Sequence, residues 1–442
     1  LRSVRLRNWI ASVNGEQLFL KGAEHGPTRR ALGEATPEEV RADVGHAVDL
    51  GLDLLRVQAH VARPELYDAA DAAGLLLWQD LPLHRGYARG IRREAARQAR
   101  AMVDLLGHHP SIALWCGHDE PDTPGPDLVR TALAGQVPSW NRSVLDRTVR
   151  RVLQRADPSR PVIAHSGVAP HLPGVDGTDS HLGLGWTSGD ERDLPRVAAA
   201  VPRLVRFVSR FGAASVPSGA AAAFADPDRW PDLDWDAFAA HHGLDLARVA
   251  LHVPPADHAT FDGWRDATQR YQATLVRRHV EELRRLKYRP TGGFAVARLA
   301  DAQPGITPAL LDHERGPKPA LAALRDACRP VIVVADRLPA TVRPGEPLAL
   351  DVHVVSDLRE AVTGAQVTAT LSWPGGEHRW RWRGDVPPDA CERVGTIQAM
   401  APAAPGALVL ELALSVPGHP LGANRYTACL AAPAGAPPHR AD

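Results

Sequence analysis

Lysine is nearly missing from this 442-residue chain. Lys21, Lys287 and Lys318 are the only three, so positive charge is carried almost entirely by Arg. With abundant Ala and Pro, that bias is what a GC-rich genome produces, and it has little bearing on function. Net charge is missing too: 51 basic residues meet 51 acidic ones. No broad basic field points to nucleic acid, and no acidic excess points to a solvating tail. Cysteine is scarce. Cys116, Cys328, Cys391 and Cys429 lie far apart and form no CxxC pair, which argues against a disulfide framework. Cys116 sits in an apolar run and reads as a small buried hydrophobe. A Cys391–Cys429 bridge stays open as a local pairing. No apolar run is long enough to cross a bilayer, and no signal peptide opens the chain. The first residue is Leu1, already in a strand-like segment. The expectation is a fragment whose upstream domains have been removed, soluble and cytoplasmic. No Gly-rich phosphate loop, HExxH pair or internal repeat occurs.

What is present is alternation. Val4 to Ser12 and Leu18 to Lys21 read as strands joined at Asn14-Gly15, a hairpin signal. Thr36 is a helix N-cap, with Pro37 at the first helical position and Glu39 completing a capping box. Strands at Leu54–Gln58, Leu75–Trp78, Ile112–Cys116 and Pro161–His165 then alternate with helices at Arg63–Ala73, Arg92–Leu106 and Ser143–Ala156. Asp176–Trp186 reads as a loop or short strand with a polar end. Leu204–Ser209 and Gly292–Ala297 are further strands around a long helix within Phe261–Leu286. Pro319–Ala327 is a last helix. The alternation implies a parallel sheet. So many units without a phosphate loop favour a closed (β/α)8 TIM barrel over a doubly wound sheet.

From about Arg329 the pattern changes. Val331–Val334, Leu348–Val355, Val367–Trp373, Trp380–Trp382 and Leu408–Leu414 are short alternating strands separated by Gly/Pro turns, an all-β, immunoglobulin-like sandwich. The expected fold class is thus α/β, a TIM barrel followed by a sandwich. Residues 1–13 form a lead-in strand, 14–328 the barrel, 329–432 the sandwich and 433–442 a disordered tail.

Polar residues collect where the barrel strands end: Glu24-His25, Gln58 and His60, Gln79-Asp80, His118-Asp119-Glu120 and His165. In a barrel that end is the catalytic face. The sharpest case is Ser111–Pro121 (SIALWCGHDEP), an apolar strand that breaks at Gly117 and stops on two carboxylates. An ordinary polar turn after a strand would read the same way. A metal site using His25, His60, His118 and His181 is thinkable, but no ligand spacing supports it. No cofactor is implied.

Eight stretches in order carry a resemblance. They are Asn14–Pro27 (NGEQLFLKGAEHGP), Leu54–His60 (LLRVQAH), Glu65–Leu83 (ELYDAADAAGLLLWQDLPL) and His108–Pro121 (HHPSIALWCGHDEP). Asp157–Val162, Gly177–Trp186, Arg206–Pro217 and Leu310–Leu321 follow. Together they resemble glycoside hydrolase family 2, in its β-mannosidase-like branch. The resemblance implies hydrolysis of O-glycosyl bonds in a carbohydrate partner, a β-linked glycoside with mannosides as candidates. It also implies a parent chain with jelly-roll and immunoglobulin-like domains before the barrel, neither of which is present here.

The family's retaining mechanism needs two carboxyl groups about 5–5.5 Å apart. By resemblance the acid/base is Glu120, and the Asn that precedes it in the family is Asp119 here. An Asp accepts a hydrogen bond from a sugar hydroxyl but cannot donate one. The nucleophile normally sits in a Ser-Glu-Phe-Gly segment, which here reads Ser209-Arg210-Phe211-Gly212. A guanidinium has no lone pair to offer an anomeric carbon. Glu24 stands where the family has Asn, and Phe294–Arg298 replaces a Trp-containing closing strand. Glu24, His25, Arg56, Asp80, Trp115, Asp119, Asp179, His181 and Trp186 are the candidate sugar-pocket residues. Glu24 or Asp119 is expected to pair with Arg210. Two readings follow: a glycosidase by lineage, or a carbohydrate-binding pseudo-glycosidase with impaired catalysis.

Overall fold

The computed structural model describes residues 2–121, 140–168, 179–218, 229–418 and 422–431. The expected tail at Pro433–Asp442 lies outside the described residues. Two compact units divide the chain between Cys328 and Arg329.

The first unit opens on β1 (Val4–Arg7), β2 (Ile10–Val13) and β3 (Glu16–Leu18). The expected turn at Asn14-Gly15 is there, with φ of 54° and 89°. What reads as one strand from Val4 to Ser12 is instead a second hairpin, turning at Asn8-Trp9 with φ of 51° and 67°. Both are left-handed two-residue turns that match strand twist. Trp9 tolerates that backbone because its ring is buried, stacked on Trp78 at 5.6 Å and tilted against Phe207 at 5.2 Å. A Cβ on Gly292 would collide with the Trp9 backbone, so the hairpin needs glycine there.

Eight parallel strands follow: β4 (Leu20–His25), β5 (Leu54–Val57), β6 (Leu76–Asp80), β7 (Ile112–Cys116), β8 (Val162–Ile163), β9 (Ser180–His181), β10 (Phe207–Arg210) and β11 (Gly293–Val296). Their order across the sheet is β8-β7-β6-β5-β4-β11-β10-β9. The first strand is therefore flanked by the second and the eighth, the cyclic order of a (β/α)8 barrel. β8 and β9 share no ladder among the described residues.

The helices form where their caps predict. α1 (Pro37–Asp49) carries the complete Thr36/Glu39 capping box, and α2 (Pro64–Ala73) ends on left-handed Gly74. α3 (Arg92–Leu106) and α4 (Asp146–Ala156) complete the next units, and the long α5 (Phe261–Arg285) and α6 (Pro319–Ala327) come later. Outward strand residues (Leu55, Val57, Leu77, Trp115, Val208) pack on helix residues such as Val44, Leu66, Ala99 and Leu283. Inward residues (Leu20, Leu54, Leu76, Trp78, Leu114, Phe207) fill the barrel and close on Trp9. Strands buried on both faces need no polar alternation, which is why they read as apolar runs.

The second unit packs two sheets around one core. β12 (Val331–Ala335), β14 (Pro347–Ser356) and β17 (Cys391–Met400) form one. β13 (Thr341–Val342), β15 (Val362–Trp373), β16 (Gly376–Val386), β18 (Gly406–Ser415) and β19 (Gly422–Leu430) form the other. β17 and β19 are missing from the sequence reading because few of their apolar residues face the core: Ile397 is the one buried side chain of β17, and Ala428 and Leu430 the buried apolar ones of β19. Cys391 and Cys429 lie on strands of different sheets and all four cysteines are free, so the bridge left open above does not form. No helix among the described residues is long and apolar enough to cross a membrane.

Candidate active site

The strands end in a ring of charge. By alternation, Glu24, Arg56 and Asp80 reach the barrel centre from β4, β5 and β6; Arg210 reaches it from β10 past a register shift after Val208, and Asp119 and Glu120 follow β7. Arg56 is fully buried and acts as the hub. Its Nη2 donates to Asp119 at 2.5 Å and Asp80 at 2.9 Å, and its Nη1 donates to Glu24 at 3.2 Å. The guanidinium also lies over the Trp78 ring, 4.9 Å from its centroid. A charge this deep persists only with partners on every side.

Arg210 is the second hub and remains partly open, with 24% of its side chain exposed. Its Nε donates to both Glu24 oxygens at 2.9 and 3.1 Å, and its Nη1 donates to Glu120 Oε1 at 2.5 Å. Asp119 Oδ2 stands 3.5 Å from Nη2. The expected pairing with Glu24 is present, and Glu120 joins it. His181 closes the circle. Arg56 can only donate, so His181 Nε2 accepts from its Nη1 at 3.2 Å, and Nδ1–H donates to Glu120 Oε1 at 2.8 Å. Asp179 accepts from Ser166 Oγ at 2.6 Å and from Ser209 Oγ. The Glu120 backbone has φ of 49°, a left-handed conformation that costs a Glu free energy and that its surroundings must hold.

Electrostatics follow from this geometry. Burial pushes the Glu120 carboxyl up. The His181 hydrogen bond and the Arg210 charge outweigh it, holding the group down at about 2. Burial opposes ionisation of Asp119 as well, but Arg56, His84 and Arg210 keep it well below the usual carboxylate range. Asp80 goes the other way. Burial, only partly offset by Arg56 and reinforced by Asp119, pushes it up to about 6. A general acid must carry a proton at working pH, and the His181 and Arg210 contacts favour the ionised form of Glu120. A guanidinium occupies the position the resemblance gives to the nucleophile.

Three expected pocket residues point elsewhere. His25 faces outward, its Nε2 3.2 Å from Asp43 on α1, where Arg315 also binds. Trp115 is fully buried on the outer face and donates to Asp157 at 2.9 Å. Trp186 is half-buried with its ring stacked on His252 at 5.7 Å. The four histidines of the metal reading do not converge. His118 binds Asp146 at 2.7 Å, His60 lies against His25, and His181 serves Glu120. Among the described residues no group of three or more possible ligands is placed to hold a metal ion. Two residues escaped the sequence reading of the centre. His84 meets Asp119 Oδ2 at 3.0 Å, and Gln58 donates to the same oxygen at 2.9 Å. Gln58 is visible as a strand-end polar residue, whereas His84 has no signal beyond following the Glu65–Leu83 stretch.

The fold is a (β/α)8 barrel with acidic and basic groups gathered at its strand ends. No family model matches the chain. β-Mannosidase from Rattus norvegicus is 28% identical over 171 residues, 35% of this chain and 18% of that protein. β-Mannosidase A from Emericella nidulans is 23% identical over 418 residues, 83% of this chain and 43% of that protein. Among solved structures, a β-D-mannosidase from Dictyoglomus thermophilum superposes with a TM-score of 0.77 at 18% identity, over 97% of this chain and 53% of its own. An exo-chitosanase from Amycolatopsis orientalis superposes at 0.69 and 16% identity, over 96% of this chain and 51% of its own. The chain is similar in sequence to β-mannosidases and in fold to a solved β-D-mannosidase. It spans less than half the length of the two relatives matched by sequence.

Proposed function

We propose that the barrel mouth is a β-glycoside site of the β-mannosidase type in which double displacement has been disabled. The chain binds a carbohydrate, with β-mannosides the first candidates, and hydrolyses it at a small fraction of a normal glycosidase rate. One observation carries this reading: the Arg210 guanidinium held between Glu24 and Glu120. It stands where the nucleophile would be and keeps the acid/base position ionised. Kinship with β-mannosidases supports the sugar class. Glu24, Arg56, Asp80, Asp119, Asp179 and His181 are the proposed polar floor of the site. A second reading, ordinary exo-acting hydrolysis, is favoured by the survival of Glu120 at the strand end. It requires Arg210 to leave the centre and Glu120 to take up a proton.

The test is a panel of aryl β-glycosides (mannoside, glucoside, glucosaminide, glucuronide) with binding followed by calorimetry and turnover by release of the phenol. The parent should bind one member and release phenol slowly. Arg210→Glu, which returns a carboxylate to the nucleophile position, should raise turnover by at least about 10³-fold. No binding to any member by the parent would refute the proposal.

A further inference from the structure

Glu24 takes hydrogen bonds from both guanidiniums, whereas Asp119, bonded to Arg56, stands 3.5 Å from Arg210. Only 1% of the Glu24 side chain is exposed. Arg210, lying across its two oxygens, is the partly exposed group beside it. The same guanidinium binds Glu120 through a neighbouring nitrogen. One guanidinium thus joins the two carboxylates across the barrel mouth, as neighbours on either side of a single planar group. Arg56, fully buried beneath, also donates to Glu24 at 3.2 Å, a contact that does not run through Arg210.

We propose that Arg210 is a plug over a second, latent carboxylate pair, with Glu24 from the first barrel strand as nucleophile and Glu120 as acid/base. The inference rests on the glycoside-site reading above. With the Arg210 side chain gone, Glu24 opens to the pocket. Glu120 loses its strongest cationic neighbour and binds a proton more readily. The chemistry then balances within the chain. A Glu24 oxygen forms a bond to the anomeric carbon, the bond to the leaving oxygen breaks with its electron pair, and the Glu120 proton goes to that oxygen. Water, deprotonated by Glu120, afterwards cleaves the glycosyl ester and restores Glu24. The nucleophile is thus displaced from the seventh barrel strand to the first.

Arg210→Ala and the bulkier neutral Arg210→Gln test this in the full chain, each checked for folding by circular dichroism. Each is incubated with 2-deoxy-2-fluoro-β-mannosyl fluoride and mapped by peptide mass spectrometry. At least one folded variant should carry the sugar on Glu24 and release phenol from an aryl β-mannoside at least 10-fold faster than the parent. Adding Glu24→Gln should abolish both signals. Folded variants without label on Glu24, or with turnover indifferent to Glu24→Gln, overturn the inference. Calorimetry of the parent separates the two failures. If the parent binds mannoside and the variants stay unlabelled, only the latent pair is wrong; if the parent binds no glycoside, the underlying site reading is wrong.

Discussion

Arg56 and Arg210 between them hold four carboxylates, Glu24, Asp80, Asp119 and Glu120. Such a cluster is stabilising only while both signs are present, because either partner alone is an uncompensated buried charge. Glu120 makes this measurable through pH. Its folded value is held at about 2, below the ordinary 4.5. A depressed carboxylate contributes stability above its unfolded pKa, and the contribution is lost as pH falls toward the folded one. With this group mostly buried, the contribution is of order 3 kcal/mol. Denaturant titrations should find the parent more stable than Glu120→Gln at pH 6. The difference should be constant above about pH 5 and shrink steadily toward pH 3. A difference independent of pH would mean that Glu120 is not held ionised.

At the scale of elements, the hairpin at the chain start does more than lead in. β1 and β2 deliver Trp9 to the barrel floor against Trp78 and Phe207. Trp9→Ala removes that plug and should cost about 3–5 kcal/mol in urea denaturation; a loss under 1 kcal/mol would contradict the packing. The turn was not legible because Asn8-Trp9 lacks the glycine that marks Asn14-Gly15. The barrel strands were legible as apolar runs bounded by caps and polar ends, but their facing was not. With both faces buried, no alternation says which of two neighbours points inward. So Glu24 and His25 read as equals, and Trp115 read as a pocket residue; the structure sends His25 and Trp115 to the helix side. His84 was hidden for another reason. Its partner Asp119 is 35 residues away and is brought to it by barrel closure alone.

At the scale of the molecule, the barrel unit has the strand order of a (β/α)8 barrel, and its strand ends gather four carboxylates around two guanidiniums. The Arg210–Glu24 pairing could be anticipated from the sequence because an unpaired cation in a closed centre is costly. The capture of Glu120 by the same guanidinium could not. It depends on how far β7 and β10 approach across the barrel mouth, and that distance is set by tertiary closure. In the function proposed above, Arg210 and Glu120 neutralise each other and leave the centre almost silent. The most direct measure of that silence is the turnover of the parent chain on the aryl β-glycoside it binds best, beside Glu120→Gln. The account predicts slow turnover that Glu120→Gln changes by less than about 10-fold, since an ionised Glu120 supplies no acid. Turnover at an ordinary glycosidase rate, about 1–10³ s⁻¹, that Glu120→Gln abolishes would contradict it.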